Sequence, residues 1–348
     1  MTDLTPEDIR AARAAEPKMR DRDLAEKLGL TEAQLVAAHV GFGATAAVAH
    51  PDQVIHAAAS FGETMALTRN RSCVHEKIGL YDNYHPGSHA AMVLTEEIDL
   101  RIFPGHWRHA YMVETKIEAG LRRSLQIFDA AGDAVHKIFL REDLVEDPWE
   151  QAKVQIALPH QDTQLTVAAR QPPEVPKSDP GKLDILRKEW ARMTDTHQFL
   201  RLASKLKMNR LGAYRIAGAP FVRALPPGAI DIMLEAVRDR QIEVMLFVGN
   251  RGCIQIHTGP IKTLKRMGPW QNVMDPGFNL HLRSDHVAEV WAVEKPTQRG
   301  PAVSVEAFDA RGMLIFQVFG LGKEGRDSRP AWREIVEALP ALEVEAVQ

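Results

Sequence analysis

Four short blocks of this chain occur twice, and each pair is separated by 180 positions. Asn70-Arg-Ser-Cys73 recurs as Asn250-Arg-Gly-Cys253, and Ile98-Asp-Leu100 as Phe278-Asn-Leu280. Tyr111-Met-Val-Glu114 recurs as Trp291-Ala-Val-Glu294, and Phe128-Asp-Ala-Ala-Gly132 as Phe308-Asp-Ala-Arg-Gly312. Chance similarity rarely keeps one offset through four separate blocks, so the chain is read as two copies of one domain. Its 348 residues suffice for two ordinary domains with a sizeable core. The expected division is an N-terminal repeat over residues 1–170, a linker over 171–181 and a C-terminal repeat over 182–348. The linker, Gln171-Pro-Pro-Glu-Val-Pro-Lys-Ser-Asp-Pro180, is too rich in proline to form the interior of an element.

Within each copy the pattern is mostly strand. Thr64–Thr68 and Val244–Val248 are short apolar runs ended by Asn-Arg turns, and residues 98–102 alternate. Residues 124–128 and 135–139 flank Asp-Ala-Ala-Gly as a hairpin, repeated by 303–308 and 314–319 around Asp-Ala-Arg-Gly. Consecutive hairpins imply an antiparallel sheet, one face of which needs a cover. Helical spacing over 6–15, 22–28, 148–157, 197–217 and 331–339 supplies it. Thr31-Glu-Ala-Gln34 is a capping box opening a helix. Leu200, Leu206 and Leu211 are the expected core positions of the helices over 197–217, and Trp332, Ile335, Val336 and Leu339 form the apolar stripe of the last helix. The fold class is α+β: a tandem structural duplication, each half a large antiparallel sheet with flanking helices.

A net charge of −3 gives no electrostatic footprint for bulk nucleic-acid binding. No apolar run approaches a membrane span, and the N-terminal segment has neither a basic region nor an apolar core for export, so a cytoplasmic protein is expected. The two cysteines, Cys73 and Cys253, occupy equivalent repeat positions without a CxxC or CxxCH, which argues against a disulfide scaffold, a structural zinc site and covalent haem attachment. Both read as buried small residues. No G-x-S-x-G, P-loop or G-x-G-x-x-G occurs in the context that hydrolases, NTPases or dinucleotide enzymes require.

Fourteen histidines are available for chemistry. His85 and His89 share a glycine-containing loop with no third ligand in the neighbouring sequence. His106 and His109, read on one strand, fall on opposite faces. Residues 22–35 resemble a helix-turn-helix with Gly29 at the turn, but the second helix opens Thr-Glu-Ala-Gln and no basic cluster follows, so a plain helix pair is the better reading. His197 differs by its context, Trp190-Ala-Arg-Met-Thr-Asp-Thr-His-Gln-Phe199, in which Thr194 and Asp195 are both candidate helix caps. Residue chemistry alone leaves it open between a structural histidine and a ligand.

The chain resembles the HemS/ChuS/HmuS family of cytoplasmic haem-utilisation proteins, the hemin-degrading factors, over nearly its full length. The blocks carrying the likeness are Thr68-Arg-Asn-Arg-Ser-Cys-Val-His-Glu76, Ile98-Asp-Leu-Arg-Ile-Phe103, Thr194-Asp-Thr-His-Gln-Phe199, Asn209-Arg-Leu211, Lys295-Pro-Thr297 and Phe316-Gln-Val-Phe-Gly320. The resemblance implies one haem held between the halves. His197 would be the proximal iron ligand and Arg101 the distal residue acting on iron-bound water or gas. Phe103 and Phe199 would line the porphyrin, Arg210 and Lys295 would meet the propionates, and Gln317 would line the pocket. His75 would serve a weaker second site on the N-terminal half. These roles suit the chemistry: imidazole is a good ligand for haem iron, guanidinium and ammonium pair with carboxylates, and aromatic rings give large apolar contact. The sequence departs from the family at Gln198 and over Phe319-Gly-Leu-Gly-Lys323.

The expected ligand is haem b, iron protoporphyrin IX, and the expected function is haem uptake and iron acquisition. The protein would hand haem to a haem oxygenase, open the ring itself, or do both, and an importer is a further expected partner. His281 or His286 would offer a switching ligand. A haem-responsive DNA-binding regulator and a duplicated scaffold without cofactor are the competing readings, and the oligomeric state stays open.

Overall fold

The computed structural model describes residues 4–118, 120–141 and 146–342. It comprises two compact units. Unit 1 takes in Met1–Arg69, His75–Gln171 and Gly249–Gln255, and unit 2 takes in Asn70–Val74, Pro172–Val248 and Ile256–Gln348.

Unit 1 opens with α1 (Pro6–Ala15), α2 (Asp21–Lys27) and α3 (Glu32–Ala37), followed by β1 (Ala44–Ala47) and α4 (Pro51–Ser60). The capping box at Thr31 forms: its hydroxyl accepts from the Gln34 N–H at 3.3 Å, and Gln34 Oε1 accepts from the Thr31 N–H at 3.0 Å. Then come β2 (Thr64–Arg69), β3 (Cys73–Gly79), β4 (Tyr84–His85), β5 (Ala91–Leu94), β6 (Asp99–Ile102), β7 (His109–Ile117), β8 (Gly120–Phe128), β9 (Ala134–Leu140) and α5 (Glu146–Ile156). The antiparallel sheet runs β1–β7–β8–β9–β2–β3, and β4, β5 and β6 pair in sequence order. Strict alternation of buried and half-buried residues along β2 and β3 gives the sheet one core face, which α4 and α5 cover through Val54, Ile55, Phe61 and Trp149.

Unit 2 repeats this order. Helices α6 (Leu183–Ala191), α7 (Gln198–Lys205) and α8 (Arg210–Ala217) precede β10 (Val222–Leu225) and α9 (Ala229–Asp239). The strands are β11 (Val244–Gly249), β12 (Cys253–Gly259), β13 (Leu264–Met267), β14 (Trp270–Asp275), β15 (Phe278–Arg283), β16 (Val287–Lys295), β17 (Ala302–Asp309) and β18 (Leu314–Gly320), before α10 (Arg329–Ala338). Their order, β10–β16–β17–β18–β11–β12 with β13–β14–β15 paired in sequence, matches unit 1. Trp332, Ile335, Val336 and Leu339 are buried against this sheet, as their spacing requires.

The duplication extends to register. Thr64 pairs with Leu140 and Val244 with Gly320, and the β-bulge between Ile127 and Phe128 recurs between Ala307 and Phe308. Each 180-residue offset is kept from β2 to β9. Before β2 the offset is 178, because the second repeat is two residues longer between its first strand and its second. By that offset α3 answers to α8, and the cap Thr31 to the cap Asn209, whose side chain accepts from the Gly212 N–H at 3.0 Å. The hairpin turn also requires its glycine: Gly132 has φ +78°, and a Cβ there would stand 2.3 Å from the Thr31 hydroxyl.

Two expectations are corrected. Leu200 is 52% exposed, because Phe199 and Ala203 define the buried face of α7 and Leu200 falls to the side of it; Leu206 and Leu211 are buried as expected. His106 and His109 do not share a strand: His106 ends the 3-10 turn Pro104–His106, and His109 begins β7. Pro104 breaks the extended run, and Trp107 is drawn inward to donate its indole N–H to Gly252 O at 2.9 Å. Among the described residues, no helix is long and apolar enough to cross a membrane.

Candidate functional site

In unit 2, Trp190 near the end of α6 is fully buried and donates its indole N–H to Glu294 O at 3.0 Å, which anchors the start of the loop to α7. Gln198 closes that loop from the other side. Its Oε1 accepts from the Thr194 N–H at 2.9 Å, and its Nε2 donates to the Thr194 hydroxyl at 3.2 Å. Asp195 Oδ1 accepts twice from His197, from the backbone N–H at 2.7 Å and from ring Nδ1 at 2.7 Å. These bonds, the backbone one first, hold the Asp195 carboxyl below its usual range. Neither candidate cap takes the N-cap position, which falls to His197 itself; both instead shape the turn before it. The His197 side chain is 94% exposed, and because a carboxylate only accepts, it is Nδ1–H that donates to Asp195; in the neutral ring Nε2 is then the nitrogen that carries the lone pair.

Behind this loop the expected contacts divide. Phe199 is buried, with its ring centroid 4.4 Å from that of Trp190 and 5.3 Å from that of Tyr214. Arg210 donates to Glu306 Oε2 at 2.8 Å, and Lys295 donates to Glu306 Oε1 at 2.8 Å and to the Tyr214 hydroxyl at 2.9 Å. Burial pushes the Glu306 carboxyl up, but Lys295 and Arg210 more than offset this and hold it well below the usual carboxylate range. Arg210 keeps 21% of its side chain exposed, whereas Lys295 is almost wholly enclosed. Gln317, half-buried on β18, pairs across the sheet with Glu306 and with Phe247, and so shares their face.

Unit 1 holds the remaining candidates. Arg101 lies opposite Met92 on β5, is ion-paired with Asp99 and donates to Leu100 O at 3.1 Å. Phe103 follows β6 and lines an open hollow of about 340 Å³ with Ser88, His89, His106 and Arg251. His75 is fully buried on β3. The counterpart of the unit 2 charge cluster is inverted here: Glu32 on α3 is the buried acid, and Lys137 on β9 and Arg69 on β2 are its bases. By the repeat offset Glu32 answers to Arg210, and Lys137 to Gln317. Burial raises the Glu32 carboxyl, but Lys137 and then Arg69 overcome it and bring it down to about 2.

Several motifs take structural places. Glu32 and Gln34 are turned into unit 1, so the α2–α3 pair does not present a recognition helix. Cys73 and Cys253 are buried, and burial raises both thiols, Cys253 to about 12 although it lies 4.0 Å from His136 Nδ1. His281 Nδ1 meets Asn272 Oδ1 at 2.7 Å, and His286 Nδ1 meets the Ser72 hydroxyl at 3.0 Å. Among the described residues, no group of three histidines, cysteines or carboxylates is placed to hold a metal ion. Sequence reasoning missed Glu306, although an acid inside Val303-Ser-Val-Glu-Ala-Phe308 was a visible signal, and it missed the pairing of Asp195 with His197 two residues on.

Fold and donor set together define a duplicated α+β protein in which the outward imidazole of His197 follows the buried Trp190 and precedes the buried Phe199. The model of the haemin-degrading HemS.ChuX domain matches residues 29–155 and again 207–339, and the chain belongs to that family. It is 35% identical to the hemin transport protein HmuS of Yersinia pestis, over 94% of this chain and 95% of that one. It is also similar to holo-PhuS, a heme-binding protein from Pseudomonas aeruginosa, with 38% identity, a TM-score of 0.92 and coverage of 97% of this chain and 100% of that one. The heme-degrading enzyme ChuS of Escherichia coli O157:H7 follows at 30% identity and a TM-score of 0.85, covering 94% and 96%.

Proposed function

We propose that this protein binds haem b in the cytoplasm through His197 and passes it on as part of haem uptake and iron acquisition. The observation that carries this reading is the state of His197: an exposed imidazole whose Nδ1 is already committed to Asp195, so that Nε2 is the donor offered to an incoming iron. The donor set fits haem rather than a bare metal ion, because among the described residues no group of three histidines, cysteines or carboxylates offers the ligands that a structural metal site needs. A porphyrin supplies four nitrogens of its own. The partly exposed Arg210 is the proposed propionate partner; Lys295 supports it from inside by sharing Glu306. Phe199 and Gln317 are proposed to back the porphyrin site, Phe199 through the ring stack that supports the loop. Arg101, Phe103 and His75 are proposed as unit 1 contributions to haem handling, with Arg101 acting on iron-bound water or gas.

An exposed ligand suits a protein that both receives and releases its cargo, so transfer to a haem oxygenase, with delivery from an importer, is the favoured route. Oxidative ring opening by the chain itself is the second reading, and the Arg101 guanidinium is the donor that favours it. Anaerobic loading with hemin followed by oxygen and reductant separates the two. A Soret band that persists and moves to an added oxygenase supports transfer, whereas loss of the band despite catalase, with a bilin-like product, supports ring opening. His197→Ala should shift the Soret band and weaken binding, and Arg101→Ala should change mainly the sixth ligand. Unchanged spectra in both variants would remove the proposed site.

A further inference from the structure

We infer that Asp195 is a positioning residue for the haem ligand: its carboxylate fixes the tautomer and plane of His197 and makes Nε2 a stronger donor to iron. The inference rests on the reading of His197 as ligand.

One oxygen, Asp195 Oδ1, takes both the main-chain N–H of His197 and the ring Nδ1–H, each at 2.7 Å. The main-chain bond sets where the residue begins and the ring bond sets how its imidazole is turned, so a single atom determines the direction of the Nε2 lone pair. The turn has independent support. Gln198 binds Thr194 through both ends of its amide, and the Gln298 N–H donates to Thr194 O at 3.0 Å. The loop therefore keeps its shape without help from the ring.

A carboxylate on the far nitrogen of a ligating imidazole is a common arrangement around protein-bound metals, where it fixes the tautomer and raises ligand basicity. In water the exposed Asp195–His197 bond is screened and weak. Once an apolar macrocycle covers the ring, water leaves and the same hydrogen bond strengthens. With haem bound, the His197 imidazole would carry partial imidazolate character, which would favour the ferric over the ferrous ion. Asp195 is thus assigned two tasks: presenting the lone pair before haem arrives, and tuning the iron afterwards.

Asp195→Asn separates these tasks, because the amide oxygen still accepts from His197 but carries no charge. The hemin-loaded wild type, Asp195→Asn, Asp195→Ala and His197→Ala are compared by resonance Raman of the ferrous iron–histidine stretch and by redox titration. Nitrogen-15 shifts of the haem-free proteins report the His197 tautomer. The inference expects the Nδ1–H tautomer in the wild type and its loss in Asp195→Ala. It also expects a lower iron–histidine stretch and a raised midpoint potential in Asp195→Asn, with affinity about 10-fold weaker in Asp195→Ala. Wild-type stretch and potential in Asp195→Asn, alongside loss of the band in His197→Ala, would overturn the role of Asp195 and leave the ligand in place. An undisturbed band in His197→Ala would overturn the ligand itself, and this inference with it.

Discussion

His136, inside unit 1, has both ring nitrogens engaged: Nδ1 with the Thr68 hydroxyl at 2.8 Å and Nε2 with the Tyr81 hydroxyl at 2.5 Å, over the stacked ring of Trp107. Burial lowers its pKa to about 3. A group that binds its proton less readily when folded favours the folded state above its unfolded pKa. The contribution of His136 should therefore be complete above about pH 6.5 and decline progressively toward pH 3. Glu32, held at about 2 against 4.5, adds a second loss of the same sign that begins only near pH 4.5. Urea midpoints measured from pH 7.5 to 5 should fall in the wild type by roughly 1–2 kcal/mol in stability and stay flatter in His136→Gln. A wild-type curve that is level across this range would contradict the neutral, buried imidazole. None of this was legible in Val135-His-Lys-Ile-Phe139, because the desolvation of His136 depends on Tyr81, Trp107 and Cys253, which are distant in sequence.

At the scale of elements, α3 and α8 show what local pattern conveys and what it leaves out. The start of α3 was written in the chain as Thr31 with Gln34, whereas the start of α8 at Asn209 lay unmarked inside the helical spacing over 197–217; both caps form. Thr31→Ala should cost about 1 kcal/mol, read as a shift in the urea midpoint. The residue after each cap carries a charge of the cluster, buried Glu32 in one repeat and partly exposed Arg210 in the other, with partners of opposite sign on the strands. That inversion needed pairing across the sheet to be seen. Glu306→Gln leaves Arg210 and Lys295 close together without their carboxylate, so a loss of about 3 kcal/mol or more is expected. Adding Lys295→Met should recover part of it, because one of the two uncompensated charges is removed. Purely additive losses in the double variant would argue against the shared carboxylate. Leu200 makes the complementary point: an apolar residue next to a buried phenylalanine reads as core, but the face of a helix is decided by what it packs against.

For the whole molecule, the duplication was legible in repeated blocks, whereas the composition of each unit was not. The Asn-Arg turns read as simple strand ends, but Asn250 and its neighbours belong to unit 1 and Asn70 and its neighbours to unit 2. Asn250 Oδ1 accepts from the N–H groups of Gly252 and Cys253, and its Nδ2 donates to Val135 O at 2.8 Å. Asn70 does the same for Ser72 and Cys73 and donates to Ile315 O at 2.7 Å, the residue equivalent to Val135. Each unit is thus completed by a short segment from the repeat that lies elsewhere in sequence. A fragment ending at Gln171 would lack Gly252 O for the Trp107 indole, Cys253 beside His136 and the Gln255 amide that donates to Ala66 O at 3.0 Å. Buried polar groups left without partners cost about 1–3 kcal/mol each, and together such losses approach the roughly 5–15 kcal/mol by which a whole domain is stable. The fragment 1–171 should accordingly lose its cooperative transition in calorimetry, or melt at least about 10 °C below the full chain. Retention of the full chain's sharp transition by that fragment would mean that the segment 249–255 adds little to unit 1, and that the sequence repeat is itself the folding unit.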